Sequence, residues 1–222
     1  MTSILRASFG FAIACIMASS VAAQTSQNYY FGRTLDRTPV ALSMQDKTGL
    51  IHFTIPKVYL TLSDNWKGGL TDVIVIEVAF PSMAPLSATR NSTAGADVVA
   101  IHVTSHAGGD YHVARVLEYE KANRFRSVGQ RSGFEVFEHT GREPALTKEL
   151  LVPESDANGP VYFECLKNTS DWTACTGHAN FGDSLWVDFQ FKRLLWASAL
   201  NIRDATIKLL TEFSAAPKEG RP

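Results

Sequence analysis

The chain has 222 residues, 45% of them hydrophobic and 19% charged, with a net charge of −1. That is the make-up of an ordinary globular protein, and it argues against a disordered chain, a collagen-like chain or a basic nucleic-acid arm. A balance so close to neutral implies neither nucleic acid nor an anionic membrane as a partner.

The N-terminus reads as an export signal. Arg6 supplies a short positive region, Phe9 to Val21 is an uncharged and mostly apolar run, and Val21-Ala22-Ala23 places small residues where a signal peptidase cuts. Cleavage is expected after Ala23, which removes one cation. The apolar run is too short for the roughly 20 residues of a spanning helix, so no membrane span is expected once the signal is gone, and the destination is the periplasm. A lipoprotein reading centred on Cys15 competes, but the box Ala12-Ile13-Ala14-Cys15 lacks the usual leading Leu and Ile16-Met17 still resemble signal interior. The remainder predicts one domain over 24–215, followed by a disordered tail over 216–222, where Pro217-Lys-Glu-Gly-Arg-Pro222 is polar. No internal repeat is present.

In chain order, Leu50 to Ile55 alternates and stops at Pro56, which predicts a strand, and Lys57 to Leu62 continues as a second strand-like run. Asp64 to Gly69 is a turn in which two glycines can take positive φ. Asp72 to Phe80 is the strongest strand, and its nearly continuous apolar character suggests a central position buried on both faces. Val98 to Thr104 predicts a strand with Val99, Ile101 and Val103 on one face and Ala100, His102 and Thr104 on the other. Residues His106 to Asp110 form a break, and Tyr111 to Asn123 suits either a short helix or a strand. Gly133 to Phe137, Val161 to Cys165 and Ser184 to Phe191 predict three more strands. Lys192 to Phe213 lacks Gly and Pro and repeats apolar residues at three- and four-residue steps, which predicts a C-terminal amphipathic helix. The fold class expected is α+β, with a largely antiparallel sheet and that helix packed across it.

Outside the signal, the cysteines are Cys165 and Cys175, ten apart and separated by the turn material Lys167 to Asp171. In an oxidising compartment they should close a hairpin as a disulfide, and a two-cysteine zinc site is disfavoured because zinc wants four ligands and no CxxC spacing is present.

Two strings carry possible chemistry. Gly182-Asp183-Ser184-Leu185 matches the GDSL signature of an esterase family in which the Ser is the nucleophile. Only 38 residues follow Ser184, however, and none is His; a Ser without its base is a poor nucleophile, so a turn entering a strand is the reading preferred. His102, His106 and His112, with Asp110 among them, form a cluster that could hold Zn or Cu and leave an open catalytic position. The spacing matches no zincin pattern, and the competing reading is a rim of solvated histidines. No cofactor is otherwise implied and no catalytic residue is assigned.

Aromatic residues at Tyr29-Tyr30-Phe31, Trp66, Trp172, Trp186 and Trp196 offer anchors for a protein interface, with Trp66 and Trp172 placed in loops. The sequons Asn91-Ser-Thr93 and Asn168-Thr-Ser170 read as chance turn sequences.

The succession Phe53-Thr-Ile-Pro-Lys-Val-Tyr-Leu60, Gly68-Gly69, Phe80-Pro-Ser-Met-Ala-Pro85, then Cys165, Cys175 and the closing strand and helix, resembles small exported bacterial proteins. Some of these are periplasmic immunity proteins that accompany the toxins of contact-dependent secretion systems. The resemblance implies a partner-binding role, the partner being a toxin or lytic enzyme of the envelope, and supplies no binding residues. A metal-binding protein or metal-dependent envelope enzyme using His102, His106 and His112 stands as the alternative, and an envelope structural protein as a third.

Overall fold

A computed structural model of the chain describes residues 32–86, 97–106, 112–141, 148–167 and 175–215. The predicted signal and its Cys15, the aromatic run at Tyr29, both sequons, Trp172 and the 216–222 tail lie outside them.

Strand β1 (Pro39–Asp46) and strand β2 (Gly49–Pro56) form an antiparallel hairpin, to which the two-residue β3 (Gly69–Leu70) adds in parallel beside β1. The alternation is plain in β1, where Val40, Leu42, Met44 and Asp46 are buried and the residues between them face outward. Strands β4 (Val73–Phe80), β5 (Ala84–Pro85) and β6 (Asp97–Thr104) precede helix α1 (Val113–Asn123). Then follow β7 (Phe125–Arg131), β8 (Phe134–His139), β9 (Lys148–Pro153), β10 (Val161–Leu166), β11 (Cys175–Phe181) and β12 (Leu185–Phe191). Helix α2 (Ala199–Ser214) closes the fold.

The large sheet has nine antiparallel strands in the order β5-β4-β6-β12-β11-β10-β9-β8-β7. One face carries Ile74, Ile76, Ile101, Val103, Phe163, Val187, Phe189 and Phe191, all essentially inaccessible, and the small sheet and α2 pack over it. Gly177 sits in register with Phe189, and the ring of Phe189 fills the space a Cβ would take, with its nearest carbon 2.1 Å from that position. The opposite face is covered in part by α1, through Val113 and Leu117 against Phe137, Leu150 and Tyr162. The result is an α+β architecture of predominantly antiparallel sheet with the C-terminal helix against it, as the sequence predicts.

Three elements differ from expectation. Residues Lys57–Tyr59 form a 3-10 turn rather than a strand, because Pro56 leads out of β2, and Leu60 after the turn bridges to Ile76. Strand β4 is not central: it stands one place from the end of the large sheet, beside the two-residue β5, with Leu60 bridging to Ile76 and Thr61 N–H donating to the Val75 carbonyl. The C-terminal helix begins at Ala199, since Arg193–Ser198 is wound as 3-10 helix. The segment left open between helix and strand is helical as α1. The Asp64 to Gly69 turn is found as a 3-10 turn (Ser63–Lys67) that ends in Gly68 and Gly69, with φ of 74° and 94°. At Gly68 a Cβ would stand 2.9 Å from the carbonyl oxygen of Ala41, so both conformation and space call for glycine there.

Candidate functional site

Cys165 and Cys175 are directly opposite in the β10–β11 hairpin and joined as a disulfide, with Cα atoms 4.1 Å apart. Both are buried in the core beneath α2 and the small sheet. The bridge is a staple, and its sulfurs are closed to exchange with an outside thiol.

Ser184, the residue of the GDSL-like string, lies in the β11–β12 turn and is buried. Its hydroxyl donates to Asp46 Oδ1 at 2.5 Å and accepts the Lys47 backbone N–H at 2.9 Å. Asp183 N–H donates to Asp46 Oδ2 at 3.1 Å, and Thr48 Oγ1 donates to Asp183 Oδ2 at 3.0 Å. Burial alone would push the Asp46 carboxyl up; the Ser184 hydroxyl and the backbone N–H groups of Asp183, Lys47 and Ser184 outweigh it and hold the group below the usual carboxylate range. The arrangement clasps the β1–β2 turn to the β11–β12 turn and leaves the Ser oxygen engaged on both sides, which accounts for the motif without nucleophilic chemistry.

His102 projects from the second face of the large sheet, as its alternation predicts, in register with Asp188 of β12, which in turn faces His178 of β11 and then Tyr162 of β10. Asp188 Oδ1 accepts from His178 Nδ1 at 2.7 Å and from Trp186 Nε1 at 2.5 Å. The His178 ring lies between Tyr162 and Trp186, with centroids 4.5 and 5.5 Å away. Burial drives the His102 pKa down despite the pull of Asp188 and Glu77, so this imidazole is neutral at neutral pH. Burial likewise pushes the Tyr162 phenol well above its ordinary value. A carboxylate-oriented imidazole is half of an acid–base device, yet His178 Nε2, the nitrogen that would exchange a proton with a substrate, is buried without a hydrogen-bond partner. Within the row, side-chain hydrogen bonds join β11 to β12 and the Tyr162 ring of β10 packs on His178.

Of the other proposed ligands, His106 ends the strand region after β6 and His112 is the residue before α1, with 107–111 between them outside the described residues. Among the described residues no three of His, Cys, Asp and Glu stand close enough to share an ion. His178 and Asp188 were not singled out in the sequence. Recognising Gly182 to Ser184 as a hairpin turn would have paired them.

Trp66 donates its Nε1–H to the Leu60 carbonyl at 2.9 Å and packs against the core, so it is a loop brace. Trp196 stacks under Arg131, 4.9 Å from the ring centroid. Arg131 and Arg193 both reach the buried carboxylate of Glu149, at 3.1 and 2.7 Å. Burial opposes that charge, but the hydrogen bonds from Arg193 and Arg131 keep it below the usual carboxylate range. No helix among the described residues is long and apolar enough to cross a membrane.

Fold and geometry thus define a disulfide-stapled α+β domain whose conspicuous polar groups are spent on joining its own strands. The same fold occurs in a solved structure, that of Smlt3025, an immunity protein of the Stenotrophomonas maltophilia type IV secretion system, with a TM-score of 0.56 and 12% identity over 82% of this chain and 98% of that one. No protein-family profile matches the chain and no curated protein matches it.

Proposed function

We propose that this protein is an exported, periplasmic binding protein that neutralises a toxin or lytic enzyme of the envelope by occupying it. The observation that carries the reading is the shared fold with Smlt3025, which extends over nearly the whole of that chain. The signal-like N-terminus and the buried disulfide support an oxidising compartment. In the interior, Ser184, His178 and Asp188 are committed to internal bonds, which fits a binding role.

The test is a contact-killing assay between a strain lacking the protein and its otherwise identical parent. The strain without it should lose viability against toxin-delivering neighbours, and the full chain should restore survival. A chain starting at Gln24, retained in the cytoplasm, should not. Equal survival with and without the protein would overturn the reading, and full protection by the cytoplasmic form would overturn the periplasmic location.

A further inference from the structure

Among the described residues the two sheets end in four edge strands, and three of them are blunted against pairing with another chain. β3 and β5 are two residues long, β5 closing with Pro85, and β7 carries Arg126, Arg131 and an irregularity in its register between Ser127 and Gly129. β2 has one such device, the proline at its last position, Pro56, and none along Gly49–Ile55. It is eight residues long, pairs with β1 in unbroken register, and has no Asp, Glu, Lys or Arg along Gly49–Pro56.

A groove of about 550 Å³ adjoins this strand, lined by Leu50, His52 and Thr54 together with Phe181 and the end of α2 at Ser214. The outer face of the small sheet continues from it: Leu50 is 48% exposed and Leu70 is 72% exposed, with His52 between them held by Ser43 Oγ at 2.9 Å. This face is uncharged, and charge gathers at its border in Lys47, the Asp64–Lys67 pair and Asp72. A neutral centre with a charged rim is the layout of a protein interface.

We propose that the β2 groove receives an extended, uncharged segment of the protein partner, which adds a strand beside β2 with alternate side chains set against Leu50 and Phe181. Identifying that partner as the neutralised toxin rests on the function proposed above. About five residues of strand, some 17 Å, match the run from Leu50 to Thr54. A charged segment would lose its hydration here and gain no ion pair in return.

A second copy of the chain fits poorly. The outer face, about 26 Å by 14 Å from strand geometry, is well short of the roughly 800 Å² per partner of a standard interface. A second β2 would also arrive with its own α2 attached, in the place where this α2 closes the groove. The seven residues after Ala215 include Lys218, Glu219 and Arg221, which do not suit a neutral groove.

The probe is a displayed library of random short peptides, selected on the full exported chain with its disulfide formed. The expected binders are uncharged with alternating apolar residues, and their affinity should fall about tenfold or more with Leu50→Lys while Val128→Lys on β7 leaves it unchanged. Leu50 is half exposed, so this variant folds, and an unchanged unfolding midpoint verifies it. Absence of binders, charged binders, or binders indifferent to Leu50→Lys would overturn the proposal. A dimer in sedimentation that Leu50→Lys dissolves would make the occupant a second copy, and much tighter peptide binding by a chain ending at Ala215 would make it the tail; either replaces the partner proposed. In the contact-killing assay Leu50→Lys should lose protection. If the wild-type chain itself gives no protection, the neutralising function fails, and the peptide result still decides the groove.

Discussion

Replacing Ser184 with alanine removes one oxygen and should loosen two turns that lie far apart in the sequence. The hydroxyl makes a hydrogen bond to the carboxylate of Asp46, which is 4% exposed, and accepts one from Lys47 N–H. A bond to a charged group contributes about 1.5–3 kcal/mol and a neutral one about 0.5–1.5 kcal/mol, so Ser184→Ala should cost about 2–4 kcal/mol at pH 7. With a urea slope of about 2 kcal/mol/M, the unfolding midpoint falls by about 1–2 M at unchanged slope. The effect must depend on pH. Asp46 has its pKa lowered in the fold, so its contribution is present above the unfolded value of about 3.9 and is lost as pH falls through the lower folded value. Denaturation of wild type, Ser184→Ala, Asp46→Asn and the double variant at pH 7 should therefore show a coupling between the two sites that shrinks in acid. A loss under about 0.5 kcal/mol at pH 7, or a coupling that persists once the carboxylate is protonated, would refute the clasp.

Changing Cys165 and Cys175 to serine should lower stability by about 3 kcal/mol, the chain-entropy value for a loop of this size, measured as a fall in the denaturant midpoint. Gly177→Ala should cost about 1–3 kcal/mol or more because its methyl group enters the Phe189 ring, and Phe189→Ala about 3–5 kcal/mol; both are read by thermal unfolding. The lowered pKa of His102 means that the unfolded chain takes up a proton first as pH drops below about 6.5. Stability should then decline from pH 6.5 toward the folded value, and His102→Gln should flatten that limb of the stability–pH curve.

Where one periodicity dominated, the sequence was readable. Leu185, Val187, Phe189 and Phe191 alternate as a strand with one buried face and are found so, and the cysteine spacing located the β10–β11 hairpin with its bridge. In β1 the same signal was present in Val40, Leu42 and Met44 and went unread. β7 offered no signal at all: Arg126 to Gln130 are exposed, and the strand is held by pairing with β8 and not by burial of its side chains. The C-terminal helix was placed seven residues early, since Leu195 keeps a helical spacing while packing from a 3-10 turn. Strand order was not legible, because β4 and β6 owe their place to a register with β12 that no local pattern encodes. Of the polar groups, Ser184 drew attention for a catalytic resemblance when its actual partner, Asp46, lies on the far side of the sequence.

The same register bears on how the chain comes together. Strands β7 to β12 are joined to their sequence neighbours as a meander, whereas β6 finds its second partner only when β12 exists, Val103 opposite Val187. Contacts so distant along the chain make assembly slow compared with the meander, since loop closure precedes their reward. A chain emerging N-terminus first holds the β4–β6 pair with an apolar edge open until its last strand is delivered. Any premature stop before Leu185 therefore leaves that edge without its partner and open to aggregation.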